Sequence, residues 1–424
     1  MLKFDASGDF QAPDQFVYLC NASGFGPGNF APIFHLGKGR VKKVVICCGA
    51  LENSKDALDL KHAIGPANRL LLKLPGLLGI ARRDILMLYG DPDRSSGWMA
   101  KGSQIRAFAG DLPILANLQG GTKQLALGIN DAMRISGAEW ARITVTKPPI
   151  RTGVTALFGN DFDDRIIPLA KVAEPIPLQL LFELRDLHFD QKGALPKRAA
   201  YAKLAGLADS AWTKFTRNDQ TAVMDRAKLS EFNGTFYRRD EKSIENNGLD
   251  ISGVPHDQKA MLRRVFEFDC HPDKVTEKKL LPGFFASFVT GGWLEQAAFN
   301  QLTGRFGKSK DLDFTLNVPL RMTEKSDEEG EADILIKHGD CLHVVELKTA
   351  ASSKQLRGKS RNQAANNRTM IGGDMARSWL VMPFLKDDGV ADLQKSCRLS
   401  GVTLLAGSDA LKELIKEIEQ VMRC

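Results

Sequence analysis

The sequence predicts an α/β protein with two sheet-bearing domains joined by a partly helical middle region. Three observations lead there. Over the first 150 residues, short apolar runs alternate with helical runs, the pattern of a doubly wound, mostly parallel sheet. Over 331–349, two apolar-rich runs flank Gly339-Asp340, the pattern of a tight hairpin. Between these regions, Lys147-Pro148-Pro149 ends regular structure, and 225–257 is charged and amide-rich, the composition of exposed connectors. The expected divisions are 1–150, 151–275 and 276–424.

In the first region the strand candidates are 16–20, 44–48, 85–88, 112–118 and 143–145, with helical runs at 54–63 and 122–135. Ligands of such sheets bind outside the carboxyl ends of the strands. Two glycine-bearing segments fall there. One contains Asn21, Ala22, Ser23 and Gly24 and runs on to Gly28. The other contains Asn117, Gln119, Gly120, Gly121, Thr122 and Lys123 and opens a helix. Glycines let backbone N–H groups approach a phosphate, and a helix start favours negative charge. Neither has G-x-x-x-x-G-K-[ST] spacing, and both patterns are equally compatible with plain turns. In the middle region, 177–187 and 199–215 read as helical.

The third region carries the chemistry. With Gly339-Asp340 as a two-residue turn, His338 faces Cys341, Ile336 faces His343 and Asp333 faces Glu346. Glu346 and Lys348 are two apart and share that face. Two carboxylates offer hard oxygens to Mg²⁺ or Mn²⁺, and a neighbouring lysine can orient a water or steady a phosphate in its transition state. The same residues could form a solvated ion pair on a surface hairpin. Upstream, Gly291-Gly292 reads as a turn and 293–302 as a helix. Glu295 lies one turn before Phe299 and so stands over apolar neighbours. After Lys348, residues 350–377 hold Lys354, Arg357, Lys359, Arg361, Arg368 and Arg377 against the single acid Asp374. That local positive field suits a nucleic-acid backbone, with Gln363, Asn366 and Asn367 as hydrogen-bond donors to it or as plain surface amides.

Composition narrows the classes. The 424 residues predict two or three domains, and the net charge of +7 permits acidic partners. The seven cysteines contain no C-x-x-C pair, and the histidines show no zinc spacing. Reduced cysteines and the lack of an apolar leader at the N-terminus predict a cytoplasmic protein. The greasiest run, 70–80, contains Lys73, Pro75 and Gly76 and is too short to span a bilayer, so no membrane partner is expected.

Glu295 on a helix, then Asp333, then Glu346-Leu347-Lys348 resembles the PD-(D/E)xK nuclease superfamily. GGWLEQAAFNQL followed by EADILIKHGDCLHVVELKT, with Gly372-Gly373 before a strand at 379–382, is similar to the nuclease domain of CARF-containing effectors of type III CRISPR systems. Ala332 stands where a proline often precedes the first acid. LANLQGGTKQLALGI resembles the segment of CARF domains that senses cyclic oligoadenylates, with Gln119 where that pattern commonly has Thr. The resemblance implies a Rossmann-like CARF sensor followed by a restriction-endonuclease-like domain. It implies an endonuclease in which Glu295, Asp333 and Glu346 hold Mg²⁺ or Mn²⁺, with the Leu347 carbonyl as a further ligand and Lys348 orienting water. It also implies that Asn117, Gly120, Gly121, Thr122 and Lys123 contact an activator, expected to be cyclic tetra-adenylate. Ser23 and its neighbours would line the same pocket. A symmetric ring bound across a two-fold axis implies a homodimer. Two other readings stay open: a restriction-like or repair nuclease not gated by ligand, and a nucleotide sensor without hydrolytic activity. DNA and RNA substrates are not distinguished.

Overall fold

A computed structural model of the chain describes residues 2–4, 6–22, 26–119, 122–145, 152–157, 160–161, 167–169, 176–183, 187–189, 191–236, 244, 247–267, 280–281, 283–321, 330–349, 354–371, 376–385 and 390–423. The chain divides into two compact units, Met1–Arg185 and Asp186–Cys424. The boundary expected near residue 150 falls inside the first unit, and the expected middle region is shared between the two.

The first unit is built on an eight-stranded sheet. Its strands are β1 (Phe16–Asn21), β2 (Val41–Cys48), β3 (Ile85–Tyr89), β4 (Ile114–Asn117), β5 (Trp140–Val145), β6 (Thr152–Leu157), β7 (Asn160–Asp161) and β8 (Ile167–Pro168). The order along the sheet is β8-β6-β5-β4-β1-β2-β3, with β7 pairing β6. Strands β1 to β5 are parallel, and β6 turns back antiparallel on β5. The five predicted strands are all present. β1 and β4 are buried along their whole length, as expected of central parallel strands covered on both faces. The helices include α1 (Gly26–Leu36), α2 (Gly65–Leu78), α3 (Gly102–Ala109) and α4 (Lys123–Ile135). The strand order reverses between β1 and β4, and doubly wound sheets open a crevice at such a switch point. Both glycine-bearing segments leave the sheet there.

The second unit holds a six-stranded sheet in the order β9-β10-β11-β12-β13-β14. These are β9 (His188–Phe189), β10 (Leu312–Arg321), β11 (Gly330–His338), β12 (Cys341–Leu347), β13 (Ser378–Met382) and β14 (Thr403–Ala406). Strands β9 to β12 are antiparallel to one another, whereas β12, β13 and β14 are parallel. Side chains alternate between two cores. Ile334, Ile336, Val345, Leu347, Trp379 and Val381 face a large cluster. Leu380, Met382 and Leu404 face a smaller one.

The large core is filled mostly by helices: α5 (Gln191–Ala202), α6 (Ala205–Thr216), α7 (Gln220–Phe236), α8 (His256–Phe266), α9 (Gly283–Ser287) and α10 (Trp293–Phe306). Trp293 is its centre, with its ring 5.1 Å from Phe215 and 6.1 Å from Phe384. Residues 225–257, expected as exposed connectors, instead contribute Leu229 and Phe232 to this core through α7. Apolar residues at helical spacing among many charges hid that stripe. The other face of the sheet is covered by α11 (Lys354–Ile371) and α12 (Val390–Leu399), and α13 (Ala410–Arg423) returns to the large core.

The Gly291-Gly292 turn expected from sequence is a π-helical turn, Phe288–Gly292, inside one helical run from α9 into α10. The reason is close packing. A Cβ on Gly292 would stand 2.1 Å from the Tyr201 hydroxyl oxygen, so only glycine lets α5 approach.

Candidate active site

The hairpin between β11 and β12 forms in the predicted register, with His338 opposite Cys341 and Ile336 opposite His343. Gly339 supplies the positive φ of +56° that the turn requires. Counting on from the Ile334–Val345 pair brings Asp333 opposite Glu346. Alternation then turns Asp333, Glu346 and Lys348 toward the face covered by α11.

Three side chains meet there. Lys348 Nζ donates to Asp333 Oδ2 at 3.2 Å and to Glu346 Oε2 at 3.4 Å. Asp333 Oδ2 also accepts from the backbone N–H of Leu347 at 2.6 Å, which fixes the carboxylate against the end of β12. Glu346 is fully buried and Asp333 nearly so, while a quarter of the Lys348 side chain is exposed. The lysine is therefore the member that reaches solvent. On the α11 side, Asn367 Nδ2 donates to Glu346 Oε1 and also to the carbonyl of Glu331, the latter at 2.8 Å.

Glu295 comes from α10 and is half-buried. Its Oε2 accepts from Asn317 Nδ2 at 2.6 Å. Asn317 sits in β10 with φ +48°, a left-handed conformation that asparagine tolerates better than most residues. It interrupts the β10–β11 ladder between the pairs Leu316–Ile334 and Val318–Ala332, opposite Asp333. This left-handed kink thus joins the helix acid to the strand acids. Arg198 of α5 secures it by donating to the carbonyls of Leu316 and Asn317, the second at 3.1 Å.

The electrostatics are those of a cluster short of positive charge. Burial pushes Glu346 well above the ordinary glutamate range, and the Asp333 charge adds to this; Lys348 and the Asn367 amide offset it in part. Burial works against the Lys348 ammonium, but Asp333, Glu346 and Glu295 outweigh it and hold the lysine firmly charged. One ammonium thus faces three carboxylates.

Among the described residues, no three His, Cys, Asp or Glu side chains converge tightly enough to form a metal cage. The donor chemistry still suits a hard divalent ion. Two adjacent buried carboxylates with one lysine between them leave negative charge that a cation would neutralise. Asp333 and Glu346 are the side chains that would hold it, with the Leu347 carbonyl beside them. Glu295 would join only by turning from Asn317.

The proposed backbone-binding residues on α11 separate into kinds. Lys359 is exposed and Arg357 and Gln363 are half-buried, whereas the side chain of Lys354 lies outside the described residues. Arg361 donates to Asn362 and Ser396, and Arg368 to the Ala376 carbonyl at 3.0 Å, so both guanidinium groups brace the domain. Asn367, weighed from sequence as a backbone contact or a surface amide, is buried and serves Glu346. Gly372-Gly373 lies outside the described residues.

In the first unit, Asn21 and Asn117 end the two strands at the switch point, and both are fully buried. Asn21 Nδ2 donates to the Leu118 carbonyl at 3.1 Å, and Asn117 Nδ2 to the Gly28 carbonyl at 2.8 Å. The amides tie the two segments together from beneath. Ala22 is buried; Ser23, Gly24, Gly120 and Gly121 lie outside the described residues. The first glycine segment is shorter than expected, because α1 already begins at Gly26. Gln119 exchanges two hydrogen bonds with the backbone of Val145, at 2.9 and 2.6 Å, so its amide straps β4 to β5. Thr122 caps α4 through Leu125 N and donates to the Pro92 carbonyl at 2.6 Å. Lys123 is exposed at the first turn of α4.

Residues 285–423 match the family described as Card1-like, endonuclease domain. No curated protein matches the chain. Among solved structures, Can2 from Sulfobacillus thermosulfidooxidans in complex with cyclic tetra-adenylate shares 14% identity, with a TM-score of 0.63 over 95% of this chain and 99% of Can2. Protein VC1899 from Vibrio cholerae shares 14% identity, with a TM-score of 0.64 over 95% of this chain and 97% of its own. At that identity the likeness is one of fold, and it runs through both units. A type III CRISPR defence DNA nuclease activated by cyclic oligoadenylate aligns with 90% of the chain at a TM-score of 0.44, and this chain covers 46% of it.

The Card1-like segment contains Glu295, Asp333, Glu346 and Lys348 together with Asn317, which sequence reasoning missed, and Asn367, whose service to Glu346 it did not foresee. Asn317 carried a faint signal, as an amide inside an otherwise apolar β-run. Asn367 carried none, since only the packing of α11 on β12 buries it.

Proposed function

We propose that the chain is a metal-dependent endonuclease, gated by a cyclic oligoadenylate and acting in type III CRISPR defence. The observation that carries the hydrolytic half is the meeting of Asp333, Glu346 and Lys348 at the end of β12, inside the Card1-like segment. A Mg²⁺ or Mn²⁺ ion held by Asp333 and Glu346 would supply Lewis acidity toward the phosphate and an acidified water. The protein's own groups do the positioning. Asn367 aims Glu346, the Leu347 N–H aims Asp333, and the charged Lys348 stands where it can hydrogen-bond a water or a phosphate oxygen. Glu295, with Asn317 as its partner, adds the third acid. Lys359 and Arg357 offer charge to the backbone of DNA or RNA.

The sensing half is supported by the switch point between β1 and β4, where doubly wound sheets bind their ligands, and by a fold shared with a protein solved with cyclic tetra-adenylate. Backbone N–H groups of the glycine segments, Thr122 and Lys123 would hold the ring's phosphates, in a homodimer whose two-fold axis matches the ring. Activation follows if the ring binds one dimer arrangement better than another.

The test is cleavage of labelled RNA and DNA with Mn²⁺, with and without cyclic tetra-adenylate, by the parent chain and by Lys123→Ala. Ligand-dependent cutting is expected, with Lys123→Ala shifting the activation curve to higher ligand and leaving the fully activated rate unchanged. Equal cutting with and without the ring would reduce the reading to an ungated nuclease. No cutting under any condition would favour a binding protein.

A further inference from the structure

Asn317 is tied to the acid cluster by only half of its amide. Nδ2 donates to Glu295 Oε2 at 2.6 Å, while Oδ1 is buried and, among the described residues, accepts no hydrogen bond. The residue is 1% exposed, so bulk water does not supply the missing donor. An unpaired buried carbonyl oxygen costs free energy, and native folds leave few such atoms without a water or an ion to meet them.

The backbone is unfavourable at the same residue. Asn317 holds φ +48°, which even asparagine adopts at some cost. The ladder does not demand the kink, since β10 and β11 pair normally on both sides of it, through Leu316–Ile334 and Val318–Ala332. Arg198 fixes it by donating to the carbonyls of Leu316 and Asn317, the second at 3.1 Å. Two unfavourable features thus fall on one residue opposite Asp333. Strain held in place from outside the strand marks a residue kept for what its side chain touches.

The surroundings define what the oxygen can meet. Glu295, at the other end of the amide, is among the carboxylates whose charge keeps Lys348 protonated, so the amide borders the same cluster as Asp333 and Glu346. That cluster is rich in acceptors, and its ammonium already serves Asp333 and Glu346. A further oxygen there suits a hard divalent cation, for which amide carbonyls are ordinary ligands. Neutrality matters as well. Three carboxylates already face one ammonium, and another buried acid would add repulsion that an amide avoids.

We propose that Asn317 belongs to the divalent-ion site: its Oδ1 joins Asp333 and Glu346 in holding the ion, while its Nδ2 keeps hold of Glu295. The proposal deepens the nuclease reading and rests on it. The kink in β10 is then the device that turns the amide toward the acids, and Arg198 is a positioning residue that holds the kink.

The test is Mn²⁺ binding by the full-length chain without nucleic acid, followed by the electron paramagnetic resonance signal of free Mn²⁺. The parent is compared with Asn317→Gly and Asn317→Asp. Both replacements tolerate positive φ, so the kink survives and melting temperatures should stay close to that of the parent. Asn317→Gly removes the whole amide and is expected to weaken Mn²⁺ binding about 10–100-fold. Asn317→Asp returns an oxygen but repels Glu295, and is expected to bind Mn²⁺ at least as tightly as the parent. In cleavage assays, the Mn²⁺ concentration giving half the maximal rate should follow the same order. If Asn317→Gly binds as the parent does, the proposal is overturned. If both variants are weakened alike, Asn317 acts only by placing Glu295, and its assignment to the ion is overturned. Should glycine lower the melting temperature, Asn317→Asp decides alone: binding as tight as the parent's supports the oxygen, and weaker binding overturns it. If the parent itself binds no Mn²⁺, the metal-dependent reading falls first and takes this proposal with it.

Discussion

Asn367 donates to a carboxylate that burial has made reluctant to ionise, so its loss should be felt at Glu346 rather than at the fold's periphery. Asn367→Ala is expected to lower the cleavage rate about 10–100-fold, as removal of a supporting partner does at metal sites, with KM little changed. Steady-state kinetics and a melting curve on the same preparation check this, and an unchanged kcat would remove Asn367 from the account. A second residue reports on pH. His343 is buried between His338 and Trp379, with Nδ1 accepting from Arg377 N at 3.0 Å. Burial, then His338 and Arg377, lowers its pKa to about 3. An unfolded histidine titrates near about 6.5. Over that window the unfolded chain binds more protons, so His343 contributes stability that is complete above pH 6.5 and declines as pH falls toward 3. The slope approaches about 1.4 kcal/mol per pH unit. The raised Glu346 acts in the opposite sense, costing stability as pH rises above about 4.3. Urea unfolding of His343→Asn beside the parent between pH 4 and 7 isolates the histidine. The variant should show the shallower loss toward acid, and parallel curves would contradict the assignment. Asp333, Glu346 and Lys348 were legible because a two-residue turn fixes a register and a register fixes a face. Asn317 and Asn367 were not, because one acts through a left-handed backbone kink and the other through a helix packed from elsewhere.

At the scale of elements, the helical run through α9 and α10 gives a paired test. A Cβ on Gly291 would meet nothing within 4 Å, whereas one on Gly292 would collide with Tyr201. Gly291→Ala should therefore be neutral or slightly stabilising, by the helix preference of alanine. Gly292→Ala should cost about 1–3 kcal/mol, as overpacking does, and displace the helix that carries Glu295. Thermal unfolding of the two variants decides it, and equal melting temperatures would mean that α5 does not pack on this turn. The sequence suggested a break at these glycines because their composition is that of a turn. Only the approach of Tyr201 distinguishes a glycine kept for space from one kept for bending. The strands of the first unit were readable because buried parallel strands are continuous apolar runs. The helix α7 was misjudged because its charged face outnumbers its buried stripe.

For the whole molecule, the two-unit division predicts separable responses. If the switch-point crevice binds cyclic tetra-adenylate, adding the ring at a hundred times its Kd should stabilise the first unit by about 2.7 kcal/mol. A calorimetric scan with and without ligand would show the shift, and Lys123→Ala would reduce it without moving the unliganded transition. The fold class was visible from strand and helix alternation, but the extent of each unit was not. Antiparallel closure by β6 and the recruitment of α5 to α8 into the second core are long-range packing events that carry no local signature. The central claim is that the acids and amine at the end of β12 are the hydrolytic centre. It is tested most directly by single-turnover cleavage of a labelled oligonucleotide, with Mn²⁺ and saturating cyclic tetra-adenylate, by the parent and by Glu346→Gln. A fall of about 10²–10³-fold or more, with the melting temperature held or raised as a buried charge is removed, is the expected result. A variant that folds and cuts at the parental rate would contradict it.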